Sequence, residues 1–110
     1  MYYPTIVVED FFKDYNSILN FYKKVKLYKP KKNENWPGVR SKPFHKINID
    51  LHNYIINKII SIYYNYNLQQ VFWKNANVQF HKVKPFDLKT WNKKQTHIHK
   101  DKNFEIAGVI

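Results

Sequence analysis

A chain of 110 residues and 13.5 kDa has room for one small domain. Its hydrophobic content of 44% and aromatic content of 18% supply enough apolar material for a core and exclude wholesale disorder. The lack of cysteine excludes a disulfide framework, a thiolate metal site and a cysteine nucleophile. No apolar run approaches the roughly 20 residues of a membrane span. Residues 1–5 lack the basic and apolar regions of a signal peptide, so the expected address is the cytoplasm.

The net charge is +11, from 19 basic and 8 acidic residues, and would attract phosphate or another anionic partner. Nearly all the basic residues are lysine; Arg40 is the only arginine, and lysine lacks the planar fork that reads bases. The chain is also rich in Asn, Ile and Tyr, all encoded by AT-rich codons. Base composition therefore accounts for the lysine as readily as an anionic partner does, and charge alone leaves both readings open.

In chain order, residues 5–10 are short and β-branched (Thr5, Ile6, Val7, Val8, then Glu9 and Asp10) and predict a strand. After Phe11 and Phe12, Asp14 is placed to cap a helix running to about residue 26, with Ile18, Tyr22 and Val25 at helical spacing. Residues 29–44 hold Pro30, Pro37, Pro43 and Gly38 among charged residues and predict a long loop, which in a small domain is usually functional or mobile. From Asn48 or Asp50 the pattern turns helical. Leu51, Ile55, Ile59, Ile62 and Tyr63 form a stripe that Ile56 and Ile60 broaden, as expected of a helix lying across a sheet. Asn65 and Asn67 suit its end. Residues 68–73 and 77–84 have the composition of two strands joined around Lys74 and Asn75. A polar loop follows from Pro85 to about Gln95. Residues 96–102 are histidine-rich, and residues 104–110 form an apolar run with the character of a core strand. That run holds the last residue, Ile110, with no closing turn, so the domain is expected to be unfinished.

Several chemistries find no support. Gly38 and Gly108 cannot build a glycine-rich phosphate loop, Ser17, Ser41 and Ser61 lack a nucleophile context, and Glu9, Glu34 and Glu105 are not paired as in glycosidases. The informative stretch is Thr96-His97-Ile98-His99-Lys100-Asp101. On a strand, residues two apart share a face with Cβ atoms about 6–7 Å apart, and imidazole and carboxylate so placed can converge on one metal at about 2.0–2.2 Å. His99 with Asp101, and His97 with His99, have that spacing. From spacing alone a solvated polar turn is the commoner use of such residues.

The context of the pair is more specific. Trp91, then His97-Ile98-His99-Lys100-Asp101, then Phe104-Glu105-Ile106-Ala107-Gly108-Val109-Ile110 resembles the iron(II)/2-oxoglutarate-dependent dioxygenases of the prolyl-hydroxylase-like branch. Upstream, Trp36-Pro37-Gly38-Val39-Arg40 is similar to a Tyr/Trp-Pro-Gly-x-Arg loop in small phage and marine-bacterial members of that group. The opening Ile6 to Phe12 resembles their first strand and its exit into a helix. The resemblance covers nearly the whole chain in order. It implies that His99 and Asp101 are the first two ligands of a two-His-one-carboxylate triad, which leaves iron positions open for 2-oxoglutarate and dioxygen. His97 would be a neighbour of the site. Asn77 and Gln79, which share a strand face with His81, would lie near the co-substrate, while His81 itself is more often a structural or surface histidine.

The implied fold is α+β: the N-terminal part of a double-stranded β-helix (jelly-roll), with two helices packed on the sheet and residues 1–110 as one incomplete domain. In the family, the third ligand is a distal histidine, and a basic residue beyond it holds the far carboxylate of 2-oxoglutarate. No residue here matches either; Lys100 and Lys102 are near the pair but do not match the anchor. Three explanations follow: a truncated sequence, a split protein completed by a second chain or a further copy, or a degenerate relative with another role in a bacterial or phage-infected cell. Half a β-helix would leave strand edges that call for a partner.

Two side chains of the upstream loop carry alternatives of their own. Arg40 would bind an anionic substrate beside Trp36, or hold the loop through an ion pair. A second function class is a small basic nucleic-acid-binding or phage accessory protein, in which Trp36, Trp73 and Trp91 stack bases among the lysines. Against it, Trp73 has the setting of a core residue, and the other two have the setting of loop anchors.

Overall fold

The computed structural model describes residues 5–63 and 76–84. These residues contain α1 (Tyr15–Lys24), β1 (Val39–Arg40), α2 (Phe44–Ile47), α3 (Ile49–Tyr63) and β2 (His81–Lys82). They belong to two compact units, residues 5–25 to one and residues 26–63 with 76–84 to the other.

In the first unit, α1 starts where its cap predicts. The Asp14 carboxylate accepts from the backbone N–H of Ser17 at 3.2 Å, and the Ser17 hydroxyl donates back to the Asp14 carbonyl at 3.3 Å. Ile18, Leu19, Phe21 and Tyr22 are half-buried along one side, while Asn16, Ser17, Asn20, Lys23 and Lys24 are exposed. Lys23 and Lys24 complement the helix dipole at the last turn. Val25 turns extended and donates its N–H to the Phe21 carbonyl at 3.2 Å. The strand expected over residues 5–10 does not form. Residues 5–8 carry no ladder pairing, Glu9 and Asp10 make a turn, and Asp10 sits at φ +49°. β-Branched composition favours an extended chain, but a strand also needs a neighbour to pair with; Val7, which the pattern would pack, is 87% exposed.

Among the described residues of the second unit, the buried apolar side chains are Phe44, Ile55, Ile56 and Ile60, and Ser41 and His52 are buried as well. Pro43 opens α2, and Asn48 both ends it and starts α3. Its N–H donates to the Phe44 carbonyl at 2.7 Å, and its side-chain oxygen accepts from Leu51 N–H at 3.1 Å. The deepest positions of α3 are 52, 55, 56 and 60, and Leu51, Ile59, Ile62 and Tyr63 are half-buried around them. The buried stripe thus runs through a histidine that apolar periodicity alone passes over. Among the described elements α3 packs on α2; the strands expected over residues 68–73 and 104–110 lie outside the described residues.

Residues 29–44 are not a free loop. Tyr28 and Arg40 exchange backbone hydrogen bonds at 2.7 and 2.9 Å, and β1 pairs antiparallel with β2, Val39 opposite Lys82 and Arg40 opposite His81. The strand expected over residues 77–84 is a ladder strand only at His81 and Lys82. One step earlier the Ser41 hydroxyl enters the ladder. Ser41 N–H donates to the Phe80 carbonyl at 3.0 Å, whereas Phe80 N–H donates to Ser41 Oγ at 2.9 Å, and that hydroxyl donates to the Lys42 carbonyl at 2.9 Å. Beyond it, Phe44 N–H donates to the Val78 carbonyl at 2.7 Å, and the Phe44 and Phe80 rings meet edge-on at 4.8 Å. Among the described residues, no helix is long and apolar enough to cross a membrane.

Candidate functional site

The tryptophan-to-arginine loop folds onto itself through one glycine. Gly38 has φ +74°, the left-handed region, and packs against the backbone of Lys82 and Val83. A Cβ at this position would run into the Lys82 carbonyl oxygen and lie 3.1 Å from Val83 Cα. Just before the glycine, the Pro37 carbonyl accepts from His81 Nε2 at 2.5 Å, which requires the proton on that nitrogen. The Glu34 carboxylate accepts from the Trp36 indole N–H at 2.8 Å and from Lys31 N–H at 3.2 Å. Trp36 is thereby held at its nitrogen, while the His81 ring stands edge-on to it at 6.0 Å and 88°.

Arg40 completes the cluster. Its guanidinium carbon lies 4.4 Å from the centre of the Trp36 ring, within the range where the ring quadrupole attracts a cation. The sequence left Arg40 between substrate binding and an ion pair; its contact with the Trp36 ring is compatible with either. On the other side of Arg40, its cross-strand partner Tyr28 has Lys26 Nζ at 5.1 Å and Lys42 Nζ at 5.8 Å from its ring centre. Tyr28 and Lys42 were not singled out by the sequence, and Lys26 stood out only as part of the lysine run of residues 23–26, a pattern that usually marks a solvated face. Their recognisable signal is the two-residue spacing of Lys26 from Tyr28 and of Lys42 from Arg40, which places all four on one face once Tyr28 and Arg40 pair.

The structure therefore brings Trp36 and Arg40 together, with Glu34 and His81 as their supports. Asn77 is exposed and Gln79 half-buried on the segment leading into β2. His97, His99 and Asp101 lie outside the described residues. Among the described residues, no group of three or more His, Asp or Glu side chains is placed to hold a metal.

A second histidine pair sits at the core. His52 is 2% exposed, and its ring meets that of the exposed His45 edge-on at 5.6 Å. Burial, with the neighbouring His45 second, holds the His52 imidazole below the ordinary histidine range. No family model, curated protein or solved structure matches the chain.

Proposed function

We propose that these 110 residues form the N-terminal part of an iron(II)/2-oxoglutarate-dependent oxygenase of the prolyl-hydroxylase-like branch, in which His99 and Asp101 are two of the three protein ligands to the metal. The observation that carries this reading is the order of motifs along one chain: Trp36-Pro37-Gly38-Val39-Arg40, then His99-Lys100-Asp101, then the apolar run through Gly108. Support comes from the first of these motifs, whose five residues form a folded unit. Gly38 makes the turn, Arg40 stacks on Trp36, and His81 holds the Pro37 carbonyl. A loop of solvated residues with the same composition has no need of such supports.

Imidazole and carboxylate are the donors of a facial triad. Iron(II) held by them would supply dioxygen activation coupled to oxidation of 2-oxoglutarate, with hydroxylation as the reaction class. In this reading, His99 and Asp101 bind the metal, Asn77 and Gln79 lie toward the co-substrate, and Trp36 and Arg40 line the substrate side. A third ligand and a carboxylate anchor match no residue among the 110, so the proposal includes their supply by further sequence, a second chain or another copy.

Anaerobic iron(II) titration by calorimetry, with and without 2-oxoglutarate, tests the assignment on the 110-residue chain, His99→Ala and Asp101→Ala. The expected outcome is iron uptake that weakens in both variants and falls as pH drops through the histidine range, because the ligands must be deprotonated. Uptake that ignores both substitutions, or no uptake at all, removes the site. Strengthening by 2-oxoglutarate would mean that the missing groups come from another copy of the chain or from an unexpected residue of this one.

A further inference from the structure

We propose that the face carrying Lys26, Tyr28, Trp36, Arg40 and Lys42 binds single-stranded nucleic acid, independently of any metal chemistry. Residues directly opposite one another in antiparallel pairing share a face. Tyr28 is opposite Arg40 and Arg40 is opposite His81, so these three side chains stand in a row across the pairing. Lys26 and Lys42 join the same face two residues away, as their approach to the Tyr28 ring shows. Trp36 joins it under the Arg40 guanidinium and beside the His81 ring.

The face groups cations around rings: Lys26 and Lys42 lie at Tyr28, and Arg40 lies at Trp36 with His81 beside it. Among the described residues the carboxylate at the cluster is that of Glu34, which is engaged by the Trp36 indole and the Lys31 N–H. This is the pattern that a single strand needs, since its phosphates seek cations and its unpaired bases seek aromatic faces. Charge complementarity extends beyond the row. The whole chain carries +11. Lys26 and Lys42 are exposed, and Tyr28 is 38% exposed. A lysine head on a flexible stem can move from a ring to a phosphate. That movement uncovers the Tyr28 ring for a base at the moment its phosphate is bound. The stack of Arg40 on Trp36 stays in place and sets a second aromatic position on the same face. A duplex, with its bases stacked inward, has nothing to offer the rings, so single strands are preferred.

Fluorescence anisotropy with a labelled oligothymidylate of about 12 nucleotides, long enough to cross a small single-strand site, tests the assignment on the full chain. A duplex of equal length and vesicles of anionic lipid serve as competitors. Three variants are compared: Tyr28→Leu, Lys26→Gln with Lys42→Gln, and a charge-matched control, Lys23→Gln with Lys24→Gln, on exposed positions of α1. Far-UV circular dichroism and the unfolding midpoint verify that each variant is folded.

Tyr28→Leu is expected to weaken single-strand binding by roughly 5-fold or more, the loss of one stacked base. The Lys26/Lys42 variant is expected to reduce the salt slope of log affinity by about 1.4, from two phosphate contacts at about 0.7 each. The control is expected to keep both the wild-type affinity and the slope. No binding overturns the proposal, as does equal affinity for duplex or vesicle. So does an equal response to the Lys26/Lys42 and Lys23/Lys24 pairs, which would assign the binding to general charge.

Discussion

His52 shows how one residue couples the core of the second unit to pH. It is buried on the helix that also buries Ile55, Ile56 and Ile60, and stands 5.6 Å from the His45 ring. Because burial holds its folded-state affinity for a proton below that of the unfolded chain, the unfolded state binds more protons as pH falls through about 6.5. Stability is therefore present above that pH and is lost as pH falls toward the depressed folded value. Urea midpoints measured from about pH 7.5 to about pH 5 should decline in the wild type and decline less in His52→Gln. Identical pH profiles for the two proteins would show that His52 is not the group responsible. The depth of this histidine was not legible from the apolar pattern. Positions 52, 55, 56 and 60 lie along one helix face, but an imidazole at such a position is buried only if its neighbours surround it.

Among the elements, the helices and the loop behave differently. α1 begins after Asp14 and α3 after Asn48, both with the cap hydrogen bond that their side chains predict. The segment from 29 to 44 has a loop's composition, and its order comes from elsewhere in the chain: Tyr28 on one side, and Phe80, His81 and Lys82 on the other. Gly38 is the position on which that anchoring depends, since it combines φ +74° with the close backbone of Lys82. Gly38→Ala should lower the unfolding free energy by about 2 kcal/mol or more, from a disfavoured conformation together with a backbone clash. It should also shift the Trp36 indole resonance in a proton–nitrogen NMR spectrum as the Glu34, Arg40 and His81 contacts separate. An unchanged midpoint and spectrum would mean that the turn is not locked.

At the scale of the whole molecule, net charge is the property whose effect on stability salt can adjust without mutation. A chain of 110 residues at +11 repels itself, and self-repulsion disfavours the compact state. Raising sodium chloride from about 0.02 M to about 0.2 M shortens the Debye length from roughly 20 Å to under 10 Å. The thermal midpoint should rise over that range. A falling midpoint would mean that local attractions, such as the lysines on Tyr28 and Arg40 on Trp36, outweigh the net repulsion.

The sequence by itself determined the features whose causes are local: the start of α1 at its aspartate cap, the existence of α3 from its isoleucine spacing with its start narrowed to Asn48 or Asp50, and the excess of positive charge. Helical hydrogen bonds and caps close within four residues, so a short window contains both partners. Only the tertiary structure decided that residues 5–8 stay unpaired, that Ser41 completes the ladder at Phe80, 39 residues away, and that His81 reaches back 44 residues to Pro37. Strand pairing joins groups from distant parts of the chain, and no local pattern specifies which edge will meet which. The same long-range pairing placed Tyr28 beside Arg40 and so built a face of rings and cations from residues that are ordinary in isolation.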